Sequence, residues 1–77
     1  MWVVMSKTII YVRLLDEGTY VVRPTHGEIV KENIVRVLPT EDYDPDDEIW
    51  EFTPDTIVRC EKEIWGEKEI LLAVEKI

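Results

Sequence analysis

Short runs dense in β-branched and aromatic residues, each cut off by turn formers before it reaches helix length, dictate what this chain can fold into. In Lys7-Thr-Ile-Ile-Tyr-Val-Arg-Leu-Leu15 the residues Thr8, Ile10, Val12 and Leu14 share one face at the strand period, which predicts strand one. Asp16-Glu17-Gly18-Thr19 predicts a tight turn with Gly18 at positive φ, and strand two starts at Tyr20. Pro24 gives a ladder no N–H, so a bulge or kink is expected over Pro24 to Gly27 before Glu28-Ile29-Val30 resumes the strand. Lys31-Glu32-Asn33 reads as a turn and Ile34 to Leu38 as strand three, with a short helix over 28–35 as the competing reading. Pro39 to Asp47 is a loop, and Glu48 to Phe52 is a strand that turns Trp50 and Phe52 inward. Thr53-Pro54-Asp55-Thr56 is a turn with proline at its second position, followed by a strand over Ile57 to Trp65. On that strand Val58, Cys60 and Ile64 share the core face and Lys62 is the misfit, while Ile57 and Trp65 point outward. Gly66-Glu67 turns the chain into a last strand, Lys68 to Ile77, apolar on both faces and therefore central or part of a dimer contact.

Short strands at close spacing without an amphipathic helix predict an all-β fold: a small antiparallel barrel of five to six strands, SH3-like, with Trp50, Phe52 and the aliphatic alternates inside. With 77 residues there is one domain, 1–77. Met5 could be the initiator, which makes residues 1–6 a disordered or mis-annotated start; otherwise Trp2 to Val4 extends strand one. A core this small supplies only about 3–5 kcal/mol of net stability, so its large apolar residues are committed to packing. Few are left over to line a substrate cavity, which typically needs roughly 300 Å³ or more, so a deep active site is not expected. The single Cys60 cannot form an intramolecular disulfide, which fits the reducing cytoplasm. The longest apolar run, Trp2 to Met5, is far below the roughly 20 residues of a membrane helix, so no membrane association is expected.

Seventeen acids against nine Lys and Arg leave a net charge of −8, which works against anionic partners such as nucleic acid or lipid surfaces. The charge is concentrated: seven carboxylates lie between Glu41 and Glu51 with no basic residue among them. Asp42, Asp44 and Asp46 alternate as at the start of a calcium loop, but Asp47 and Thr53 stand where such a loop needs glycine and glutamate, so a solvated loop is expected and no metal. The sharper reading is a partner surface for a basic protein or peptide, formed by Asp42, Asp44, Asp46 and Asp47 with Tyr43 and Trp50 as aromatic anchors; the plain reading puts Trp50 in the core and Tyr43 on the loop. Trp65 beside Ile57 suits a homodimer contact with the last strand, or folds over an open barrel end.

Two other classes of function have candidate residues. Cys60 and His26 are the only possible thiol–imidazole pair, in sequence contexts unlike any nucleophile motif, and no catalytic residue or cofactor is expected. Arg13, Arg23, Arg36 and Arg59 all fall within strands, where they pair with Glu28, Glu51, Glu61 or Glu63 or else form a ridge for a nucleic-acid backbone. A non-catalytic protein-interaction module is the expectation, with a small thiol enzyme and a nucleic-acid-binding barrel as alternatives.

Tyr11-Val-Arg-Leu-Leu-Asp-Glu-Gly-Thr19, Arg23-Pro24-Thr25, Glu48-Ile-Trp-Glu-Phe52 with Pro54, and Val58-Arg-Cys-Glu61 together resemble a family of short uncharacterised bacterial proteins. The resemblance spans Lys7 to Val74 and implies a bacterial, cytoplasmic, small all-β protein without assigned activity. Similar members carry glycine after the turn proline, where this chain has Asp55.

Overall fold

The computed structural model describes residues 6–77; the Met1–Met5 start, and with it the question of the initiator, lies outside the described residues. Six strands form: β1 Lys7–Leu15, β2 Val22–Lys31, β3 Ile34–Val37, β4 Ile49–Trp50, β5 Ile57–Trp65 and β6 Lys68–Lys76. The fold is all-β, with 60% of the described residues in strands and a ring of hydrogen bonds among five of the six strands that does not run evenly round one axis. No helix occurs among the described residues, including 28–35, and none is therefore long and apolar enough to cross a membrane.

The sheet order is β2-β3-β5-β6-β1-β4, and pairing of β2 with β1 closes the ring while β4 hangs on the edge of β1. Every ladder is antiparallel except the β1–β6 seam, where the two strands run parallel through one pair, Tyr11↔Leu72. Inside lie Ile10, Val12, Leu14, Val35, Val37, Trp50, Val58, Cys60 and Ala73, with Tyr43, Phe52 and Leu71 packed against them. The period-two face of β1 is thus realised, and Trp50 and Phe52 point inward although β4 is only two residues long.

Proline in β2 makes no bulge. The bonds from Leu14 N–H to Val21 C=O and from Ile29 N–H to Ser6 C=O turn the odd-numbered backbone groups of β2 toward β1. Pro24 therefore faces the other edge, where β3 pairs only from Gly27 onward, and no ladder bond is lost. The irregularity falls later, between Ile29 and Lys31. Gly27 sits inside because a Cβ there would stand 3.1 Å from Val35 Cγ2 and 3.2 Å from the Ile10 side chain. The connection from β1 to β2 is also longer than the expected hairpin: Asp16, not Gly18, takes positive φ (61°), and Tyr20 precedes β2. Asn33 (φ 63°) makes the β2–β3 turn, and Gly66 (φ 65°) the β5–β6 turn.

Ile64 departs from the expectation. It is 67% exposed, because β3 ends its pairing at Arg59 and beyond Cys60 the β5–β6 hairpin runs on outside the core. Lys62 lies on this extension too, and so it is not a buried charge. The doubly apolar last strand has its reason in the register: Ala73 and Leu71 face the core with Cys60, while Ile70 and Leu72 (4% exposed each) occupy the opposite face beside Tyr11. That face carries a second cluster, in which Trp65 lies 5.6 Å from Tyr20, Arg13 stands 5.0 Å over Tyr20, and Lys68 stands over Tyr11 and donates to its hydroxyl at 2.6 Å.

Candidate functional site: an acidic groove beside strand β4

The eleven-residue connection between β3 and β4 has a defined shape imposed by Asp44. Its carboxylate accepts the N–H of Asp46 at 2.9 Å, and its backbone C=O accepts those of Asp47 and Glu48 at 3.0 Å each. Pro45 stiffens the same bend. Tyr43 donates its N–H to Thr40 and lays its ring edge-on to Trp50, 4.6 Å between centroids. At the far end Arg23 of β2 forks onto Glu48, which also accepts the indole N–H of Trp50 at 3.1 Å. Arg23 above all, and then the indole, hold the Glu48 carboxyl below its usual range against the opposing cost of burial. Between these anchors Glu41, Asp42, Asp44, Asp46 and Asp47 stay exposed.

Antiparallel pairing of Leu15 with Ile49 then brings a second acidic segment alongside the first. A groove of about 160 Å³ is walled by Leu14, Leu15, Asp16, Glu17, Asp46, Asp47, Glu48 and Ile49. Leu15 and Ile49 are 38% and 47% exposed, so the groove is an apolar strip between carboxylates, of which, among the described residues, only Glu48 is in an ion pair. Asp16 and Glu17 are not identifiable as site residues in the sequence, since a two-residue strand pairing 34 positions away leaves no periodic signal.

The structure sorts the expected site residues. Asp42, Asp44, Asp46 and Asp47 are on the surface together; Tyr43 is half-buried; Trp50 is 2% exposed with its N–H taken, so it cannot anchor a partner. Trp65 is covered on one side by Tyr20, donates its indole N–H to Glu63 at 3.0 Å, and does not reach the acidic groove residues. No group of three or more His, Cys, Asp or Glu among the described residues is disposed to hold a metal.

The thiol and the imidazole are not brought together. Cys60 packs in the core, 1% exposed, and burial pushes its pKa up to about 11. His26, between inward-facing Thr25 and Gly27, points out of β2, so it is a strand residue rather than part of a turn. The arginines are occupied: Arg36 pairs across the β2–β3 ladder with Glu28, Arg59 reaches Glu75 and Glu61 at 2.5 Å each, Arg23 holds Glu48, and Arg13 covers the Tyr20 ring. Compared with family models, curated proteins and solved structures, the chain matches none.

Proposed function

We propose that the protein is a non-catalytic interaction module of the bacterial cytoplasm that receives a basic protein or peptide in the groove between the β1–β2 connection and the acidic loop. The observation that carries the reading is the meeting of Asp16 and Glu17 with Asp46 and Asp47 around exposed Leu15 and Ile49. Carboxylates so placed steer a cationic chain toward the surface, and the apolar strip gives it something to bury on arrival. Carboxylates gathered this closely repel one another, and a cationic partner relieves that repulsion. A lone buried thiol with a raised pKa and four engaged arginines give the enzymatic and nucleic-acid alternatives no comparable support.

The test is stopped-flow association with a fluorescent octalysine peptide at low ionic strength. Replacing Asp42, Asp44, Asp46 and Asp47 by Asn is expected to slow association about tenfold or more, within the range electrostatic steering covers. An unchanged on-rate overturns the reading.

A further inference from the structure

We infer that the free edge of β5 beyond Cys60 is a second docking site, which takes an extended basic segment of a partner as an added strand. This goes beyond the acidic groove and involves none of its residues. β3 pairs with β5 only over Ile57 to Arg59, and the last cross-link is Cys60 N–H to Asn33 C=O, 2.8 Å. There β3 gives way to the Glu32-Asn33 turn, but β5 continues to Trp65 with β6 on one side alone. Trp65 and Lys68 flank a two-residue turn, so the backbone groups of Glu61, Glu63 and Trp65 serve β6 and those of Lys62 and Ile64 point away. Nothing among the described residues takes up the N–H and C=O of Lys62 and Ile64. Beside them an open groove of about 520 Å³, lined by Glu32, Asn33, Arg59, Cys60, Glu61 and Lys62, continues the line that β3 leaves.

A bare edge of this kind is a template for strand addition, with main-chain bonds supplying affinity and alternate side chains supplying choice. The side chains here select against a second copy. A symmetric pairing centred on residue 62 sets Lys62 against Lys62, and one centred on 63 sets Glu63 against Glu63; like charges directly opposite are destabilising. Centring on Ile64 runs into the Gly66 turn after one hydrogen-bonded pair. Each chain also carries −8. A strand with Lys or Arg at alternate positions opposite Glu61 and Glu63, and an apolar residue beside Ile64, meets none of these penalties.

The experiment uses the ¹⁵N-labelled full chain with the peptide acetyl-Lys-Val-Lys-Val-Lys-Val-amide, and acetyl-Lys-Lys-Lys-Val-Val-Val-amide as a control of equal charge. The alternating peptide is expected to bind more tightly, to shift the amides of Lys62 and Ile64, and to slow their hydrogen exchange at least tenfold. Ile64→Pro removes an outward N–H and no β6 bond, and is expected to abolish the preference; Glu61→Lys with Glu63→Lys, which leaves the backbone as it is, is expected to weaken binding about tenfold. Equal binding of both peptides, with shifts confined to Asp42–Glu48, overturns the edge site and leaves the acidic groove standing. Lys62 and Ile64 amides already protected in a dimer of the free protein overturn it in favour of a second copy.

Discussion

Asp55 shows how one residue can depart from an ideal and still hold its turn. It occupies the third position of Thr53-Pro54-Asp55-Thr56 at φ 75°, with Thr56 N–H donated to Thr53 C=O at 3.2 Å, which makes this a type II turn that favours glycine there. Asp55 also donates its own N–H to Val37 at 2.7 Å, so the turn is fastened to β3. Asp55→Gly is expected to relieve the left-handed strain and stabilise the fold by about 0.5–1 kcal/mol, seen as a rise of several degrees in Tm. Gly27→Ala has the opposite sign: a methyl group pressed on Val35 and Ile10 is expected to cost about 1–3 kcal/mol in urea unfolding. Cys60, raised to about 11 by burial, is neutral at pH 8, and iodoacetamide is expected to label it only in denaturant. Its folded pKa lies above the ordinary thiol value of 9.0, so its contribution is complete below about pH 9 and declines as pH rises toward 11. Glu48 behaves in reverse. Its carboxyl is held below the ordinary 4.5 chiefly by Arg23, so its contribution is complete above that pH and is lost as pH falls through the lowered value. The Tm gap between the native chain and Glu48→Gln is expected to hold above the ordinary value of 4.5 and to narrow as pH falls below it.

At the scale of elements, β1, β5 and β6 are legible in the sequence because long alternating runs bounded by Gly66 and Asp16 leave no other period. The kink expected in β2 does not occur because a proline's effect depends on which edge its nitrogen faces, and that is set by β1 and β3 rather than by Pro24 itself. Ile64 illustrates the same limit: its parity relative to Cys60 is correct, yet burial needs a neighbouring strand, and the pairing with β3 ends five residues earlier, at Arg59. The acidic loop is visible as composition, whereas its groove requires Asp16 and Glu17, which arrive through the Leu15–Ile49 pair. Lys62 gains a role from its position on the bare strand. A charge there guards the edge against self-pairing, so Lys62→Val is expected to make the chain associate with itself, visible as a concentration-dependent rise in sedimentation mass.

For the whole molecule the decisive quantity is where charge lies rather than its sum. The strand arginines are matched by Glu28, Glu48, Glu61, Glu75 and the Tyr20 ring, which leaves the excess negative charge chiefly to the loops and the hairpin tip. Octalysine association is expected to fall steeply between 10 and 200 mM salt, as the Debye length contracts from about 30 to below 10 Å. The closure of the ring has a further consequence. Three ladders link strands joined by connections of two to six residues, but Tyr11 and Leu72 meet across 61 positions through a single pair. Bringing such distant partners together costs about 2 kcal/mol more loop entropy than closing a hairpin. Within the ring, the seam is therefore expected to be the last join made in folding and the first to part under native conditions. In native-state hydrogen exchange, amides flanking Tyr11 and Leu72 on that side are expected to exchange ahead of those shared by β1 and β2, as in a curled ribbon that unclasps along one line while its hairpins stay shut.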